Sequence, residues 1–262
     1  MAPAEDDAEP ASEAAVAGRA TRRDQIRQMT VDDIKTAARE QLTQQSAGNV
    51  SLRAVAREVG LAPSAIYRYF DSQTALVAAV AVDAYHGASR ALVAARRQSR
   101  ERSGYEQFRA MFAAYRQWAL TNRAEFTLIF ATDQTELLDG PSLMTSAPLH
   151  EFFATPLQAY CDAIAAGQVD ATRVAVSVEA RLTAEMEEVR GLIQERTGQL
   201  LSRGQIASLL SAWAAVQGFV TLEVFGQLGW FLGDREEFFA AHVDGVLAGL
   251  GLVNPEGPAP RG

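Results

Sequence analysis

Residues Ser51–Phe70 read SLRAVAREVGLAPSAIYRYF, and this stretch has the layout of a helix-turn-helix. Ser51 can cap a short helix whose apolar face is Leu52, Val55, Ala56 and Val59. Gly60 supplies the residue tolerant of positive φ that a helix C-terminus wants. Leu61 is the apolar plug of the turn, and Ala56 is the small residue facing the next helix. Pro63 sits at the start of that next helix, predicted over Pro63–Tyr69, where its missing N–H costs nothing. Ile66 and Phe70 form its inner face, which leaves a polar or small outer face free to enter a DNA major groove.

Outward from this motif the chain reads helical throughout. Val31, Ile34, Ala37, Ala38 and Leu42 recur at helical spacing, with Thr30 as the expected cap, and Gly48 and Asn49 end that helix. Asp71 or Ser72 caps a long helix expected from Gln73 to about Gln98. Further stripes follow. Phe108, Phe112, Tyr115, Ala119 and Leu120 form one, and Leu128, Ile129 and Leu137 a second. Helices are also expected over Phe152–Ala166, about Gln205–Leu228 and Glu236–Leu250. Val178, Leu182, Met186, Val189 and Ile193 make the most regular stripe, and DGPSLMTSAP, Asp139–Pro148, reads as a loop. No period-two strand pattern stands out. The expected class is all-α, with the helix-turn-helix ahead of a larger helical body.

With 262 residues, 48% hydrophobic and 21% charged, the chain is long and apolar enough to bury a core. Its single cysteine, Cys161, excludes an intramolecular disulfide framework. The most apolar window, Ala75–Val82, falls well short of the roughly 20 residues that span a bilayer. The first eighteen residues resemble no secretory signal, so a soluble cytoplasmic protein without a membrane partner is expected.

The formal net charge of −8 conceals an uneven distribution. Residues 1–18 carry five acids and no base; residues 19–70 carry nine bases against five acids; residues 71–262 carry 15 bases against 22 acids. A basic module thus precedes an acidic body, and local sign governs where a polyanion docks. The expected organisation is a disordered acidic tail over 1–18, a head with a basic arm over 19–71, a body over 72–252 and a flexible tail over 253–262.

VAREVGLAPSAIYRYFDSQTALVAAV, Val55–Val80, resembles the DNA-binding domain of the tetracycline-repressor (TetR) family of bacterial regulators. The Ile66-Tyr67-Arg68-Tyr69-Phe70 run and the following Asp71–Leu76 cap and helix start carry the likeness, which covers about residues 30–80. The resemblance implies a homodimer that binds a palindromic DNA operator, most often as a repressor, and responds to a small-molecule effector without a cofactor or bound metal. It implies that Pro63, Ser64 and Ala65 lie at the base-reading start of the recognition helix. Tyr67 and Tyr69 would contact phosphates, Arg68 would add charge, and Ser51 would offer its hydroxyl or the helix N-terminus. Arg53 and Gln73 complete the expected DNA-contacting set. Gln73 replaces a customary Lys, and Ala62 replaces a Ser or Thr cap worth about 1 kcal/mol. Arg19, Arg22 and Arg23 are the expected flexible minor-groove arm.

WAAVQGFVTLEVF, Trp213–Phe225, is similar to a C-terminal signature of one TetR subgroup, in which Trp is followed by His-Gly; here Gln217 replaces the His. Trp118, Phe126, Phe130, Tyr160, Trp213 and Gln217 are the candidate effector-pocket residues. Val216, Val220, Val224, Phe239, Val243, Val246, Leu247 and Leu250 are the candidate dimer seam, as two helices meeting their two-fold mates in a four-helix bundle. Asp83 and His86, at i and i+3, lack other evident metal ligands. The chain has no glycine-rich phosphate loop, nucleophile elbow, HExxH or paired-cysteine spacing, so a non-enzymatic function is expected. The competing expectation is a helical ligand-binding or scaffold protein that has lost DNA affinity.

Overall fold

The computed structural model describes residues 10–44, 50–130, 147–174, 184–230, 233–255 and 257. It divides into two compact units, Met1–Ala81 and Val82–Gly262. Described residues form α1 (Pro10–Gln44), α2 (Leu52–Glu58), a 3₁₀ turn (Ile66–Arg68), α3 (Gln73–Gln98), α4 (Gly104–Thr121), α5 (Arg123–Phe130), α6 (Ala147–Ala165), a second 3₁₀ turn (Ala171–Arg173), α7 (Ala184–Thr197), α8 (Arg203–Val224) and α9 (Arg235–Gly249). Among these residues there is no strand, only an isolated bridge between Val169 and Leu252. The all-α class holds. The division between units falls inside α3 rather than at its start.

The first unit is held by a small core. Ile34, Ala38 and Leu42 of α1, Val55 and Ala56 of α2, Ile66, Phe70, and Leu76 and Val80 of α3 are all buried. Full burial of an aliphatic or aromatic side chain of this kind stabilises by about 1.5–3 kcal/mol. Two expectations for α1 fail. It is one helix from Pro10, so residues 10–18 are not an unfolded tail, and Arg19, Arg22 and Arg23 are helical rather than a flexible arm. Alanine and arginine are the commonest residues of this segment, and both have high helix propensity. Thr30 is consequently not a cap; its hydroxyl donates to the Ile26 carbonyl one turn back, at 2.9 Å.

In the second unit α4 is central, packed against α5, α6, α8 and α9. Ser103 caps α4 through a reciprocal box with Glu106. The Ser103 hydroxyl and N–H hold the Glu106 carboxyl below its ordinary range. Phe108, Met111, Phe112, Tyr115 and Ala119 form the buried stripe of α4. Its start lies so near α6 that a Cβ at Gly104 would come 2.7 Å from the Ala163 Cβ. The Tyr160 hydroxyl on α6 donates to the Leu250 carbonyl at 2.9 Å, and burial pushes its pKa up to about 12.

The body corrects several sequence expectations. α6 begins at Ala147, so Pro148 belongs to a helix and not to a loop, and Pro156 lies within that helix. Leu137 and most of the expected loop lie outside the described residues, as do Val178 and Leu182 of the regular stripe. Of that stripe Ile193 is buried and Met186 half-buried. Averaged hydropathy also finds a longer apolar stretch than Ala75–Val82. α8 reaches a mean of 1.3 over 18 residues, enough by length and composition to cross a membrane, with 33% of that window buried. Ser208, Ser211, Gln217, Gly218 and Thr221 break its apolar run into short pieces.

Candidate nucleic-acid interface

The helix-turn-helix is built by local hydrogen bonding. The Ser51 hydroxyl caps α2 by accepting from Ala54 N–H at 3.4 Å, and Ser51 N–H donates to Gln41 Oε1 at 3.0 Å, which ties the cap to α1. At the other end Leu61 N–H donates to Ala56 O at 2.7 Å and Gly60 N–H to Arg57 O at 3.2 Å. This is the Schellman pairing, and it needs the left-handed Gly60, at φ 72°. A Cβ at Gly60 would meet nothing within 4 Å. Gly60→Ala therefore costs backbone strain alone, about 1–2 kcal/mol, checked by chemical denaturation of the head.

The next segment is tighter than an α-helix. Residues 63–65 form a turn that leads into the 3₁₀ turn Ile66–Arg68. Ala65 N–H to Ala62 O, Arg68 N–H to Ala65 O and Tyr69 N–H to Ile66 O are i to i+3 bonds; Phe70 N–H to Ile66 O, at 3.0 Å, is the α-helical one. The expected two-turn helix over Pro63–Tyr69 is thus replaced by turn and 3₁₀ geometry. Ile-Tyr-Arg-Tyr-Phe is rich in β-branched and aromatic residues, which lose side-chain freedom in a helix.

The two sides of this segment separate as the sequence reading expects. Ile66 and Phe70 are buried, whereas Pro63, Ser64, Tyr67 and Arg68 face solvent, with Tyr67 48% exposed. Ala65 and Tyr69 are half-buried. Ser51 and Arg53 are exposed and Gln73 is half-buried; with Tyr67 and Ser72 they line a groove of about 440 Å³. Ser72, not Asp71, caps α3, its hydroxyl accepting from Ala75 N–H at 3.0 Å.

The sequence reading missed Arg27. Its guanidinium lies over the Tyr69 ring, 5.4 Å from the centroid, and donates to the Arg68 carbonyl at 3.3 Å. That pairs α1 with the end of the reading segment by cation–π attraction and a charge-assisted bond. Arg27 and Tyr69 are 42 positions apart and share no periodic pattern, so their contact leaves no trace in the sequence.

Glu40 of α1 and Glu58 of α2 form a like-charge contact. A hydrogen bond and repulsion from Glu58 raise the Glu40 pKa above its ordinary 4.5. A carboxyl raised on folding binds more protons folded than unfolded, so it contributes stability at acid pH that is lost as pH rises through its folded pKa. Glu58→Gln should flatten the head's pH–stability profile in the window opening at 4.5, as thermal unfolding across pH would show.

In the body the candidate effector residues separate. Trp118, Phe126, Phe130 and Trp213 gather around Tyr115, with Phe152 and Phe153; Tyr115 and Trp213 ring centroids lie 5.3 Å apart, and Phe153 and Trp213 5.1 Å. The Tyr115 hydroxyl donates to Gln217 Oε1, and Gln217 Nε2 donates to Thr221 Oγ1 at 3.3 Å. Burial pushes the Tyr115 pKa well above its ordinary value. Tyr160 stands apart. Its ring contacts Phe108, at 6.5 Å, and its hydroxyl is held by Leu250, because it faces the other end of α4.

The expected dimer seam is mostly core. Val216, Val220, Val224, Phe239, Val243, Leu247 and Leu250 are buried within one chain, and Val246 is half-buried. α8 and α9 turn those faces to α4 and to each other. Their outward residues are instead Leu210, Leu222, Phe225 and Phe238, each 41–50% exposed.

The fold and head together define a helix-turn-helix DNA-binding regulator with a helical C-terminal body. Residues 34–80 match the family described as bacterial regulatory proteins, tetR family, and residues 108–246 match the tetracyclin repressor-like C-terminal domain. The chain belongs to the TetR family of DNA-binding transcription regulators. It is 29% identical over 213 residues to the HTH-type transcriptional regulators Rv1816 of Mycobacterium tuberculosis and Mb1846 of Mycobacterium bovis, covering 80% of this chain and 87% of theirs. The crystal structure of the protein SCO4313 shares the fold with a TM-score of 0.61 at 24% identity, covering 86% of this chain and 98% of that one. A tetR-family regulatory protein from Rhodococcus RHA1 gives 0.52 at 16% identity, covering 86% and 98%.

Proposed function

We propose that the chain is a cytoplasmic, homodimeric repressor that binds a palindromic operator and is released by a small molecule. One observation carries the DNA-binding part: Pro63, Ser64, Tyr67 and Arg68 face solvent on a segment whose opposite side, Ile66 and Phe70, is locked in the core. In this reading Pro63, Ser64 and Ala65 approach base edges. Tyr67, Tyr69, Ser51 and Gln73 meet phosphates, and Arg53 and Arg68 supply charge. The dimer seam is the outward side of α8 and α9, with Leu210, Leu222, Phe225 and Phe238 in place of the buried valines.

The effector is apolar or amphipathic, because the rings around Tyr115 offer an apolar wall and the Tyr115–Gln217 pair a polar handle. It induces release only by binding more tightly to the form unable to bind DNA. Two heads reading successive major grooves require half-sites one helical turn apart, or a multiple of it. Selection of genomic DNA fragments on the purified chain tests this. The expected pool contains a palindrome with that spacing. A pool without sequence preference would favour a helical ligand-binding protein that has lost DNA affinity.

A further inference from the structure

The body is acidic, yet residues 90–109 hold six arginines, Arg90, Arg96, Arg97, Arg100, Arg102 and Arg109, against two acids, Glu101 and Glu106. Four of the six, Arg96, Arg97, Arg100 and Arg102, line one groove of about 530 Å³ between the end of α3, the start of α4 and the side of α6. That volume is in the range of small-molecule sites. Arg96 and Arg97 occupy the last turn of α3, where cations stabilise the helix C-terminus. Arg100 and Arg102 lie beyond the helix, and this reason does not extend to them.

The groove is scaffolded. Arg96 is ion-paired with Asp162 across it, and Asp162 Oδ1 also accepts from Gln158 at 2.9 Å. The turn carrying Arg100 and Arg102 is fixed from its backbone, for Gln107 Nε2 donates to the carbonyls of both residues, at 3.3 and 2.9 Å. Arg102 N–H donates to Ser99 O at 2.9 Å. On the far side Gln168 Oε1 accepts from Gly104 N–H at 2.7 Å, which closes the groove floor. Asp162 pairs with Arg96, the exposed Glu101 with Arg100 at 2.7 Å, and Glu106 interacts with Arg102, so part of the groove's positive charge is offset. Planar forked guanidinium donors match oxyanions bidentately, so four arginines on one groove suit an anionic ligand.

We propose that this groove binds a small molecule bearing a multiply charged oxyanion, phosphoryl or polycarboxylate, at a site separate from the aromatic cluster around Tyr115. A compact anion fits better than a polyanion because the body around the groove is acidic and the four arginines line one groove of limited volume.

The test is calorimetric titration of the full chain with pyrophosphate and, in a second arm, with citrate, at fixed ionic strength. Wild type should bind at least one of them; pyrophosphate alone assigns phosphoryl chemistry and citrate alone carboxylate chemistry. Arg100→Gln with Arg102→Gln should weaken binding about tenfold or more, since charge-assisted bonds are lost. Glu101→Gln, on a side chain 83% exposed, should tighten it, and this gain cannot be produced by misfolding. Both arginines belong to the second unit, so DNA binding without added anion should be unchanged. Equal anion affinity in wild type and the double variant, or no binding in either arm, overturns the proposal. So does a loss of duplex DNA binding in the double variant, which would make the groove a nucleic-acid surface.

Discussion

Arg116→Ala lowers the stability of the body by about 3–5 kcal/mol, the cost of leaving a buried charge without its partner. Arg116 on α4 grips Glu223 on α8 through two bonds, Nε to Oε2 at 2.6 Å and Nη2 to Oε1 at 2.7 Å. The Glu223 side chain is 4% exposed, and the other cation near it, Arg235, stands 4.0 Å away. The Arg116 guanidinium also lies 5.1 Å from the Phe239 ring centroid on α9, so one side chain joins three helices. All three tryptophans, Trp118, Trp213 and Trp230, are in the body, and urea denaturation followed by their fluorescence reads this change. Replacing both partners with leucine should recover most of the loss, because an apolar pair of similar volume avoids the desolvation cost. A single variant within about 1 kcal/mol of wild type would mean that Glu223 finds water or Arg235 instead.

Tyr67→Ala combined with Tyr69→Ala weakens operator binding by at least about a hundredfold if both hydroxyls meet phosphates, at about 1.5–3 kcal/mol for each bond to a charged group. The salt dependence should scarcely change, because neither residue releases a counterion. Arg53→Ala with Arg68→Ala should do the converse, lowering the slope of log affinity against log salt by about 0.9 per lost contact. Tyr69→Ala also removes the platform under Arg27, so Tyr67→Phe, which keeps the ring and loses only the hydroxyl, is the sharper single test. Fluorescence anisotropy on labelled operator DNA at several salt concentrations separates these outcomes. Unchanged affinity in every variant would remove this segment from the interface.

What could be read in advance was local. Ser51 caps α2, Gly60 takes a left-handed φ, and α3 runs from Gln73 to Gln98, all as expected, because each depends on residues within one or two turns. The inward Ile66 and Phe70 followed from helical spacing alone. The 3₁₀ form of residues 66–68 was less visible, since the difference between one and two turns of helix is a small energy in so short a segment. The helical state of residues 10–29 follows from backbone propensity, which an apolar-spacing pattern does not register.

The amino-acid order alone therefore determined the all-helical class, the helix-turn-helix and the apolar faces of α8 and α9. Only the tertiary structure decided what covers those faces. Periodicity marks Val216, Val220, Phe239 and Leu247 as a stripe, but their own α4 buries them, leaving Leu222, Phe225 and Phe238 outside. Tyr160 fell away from the other candidate aromatics, Arg27 reached Tyr69 and Arg116 found Glu223 for the same physical reason. Each contact joins residues far apart in the chain, and their meeting depends on how whole helices pack rather than on the residues beside them.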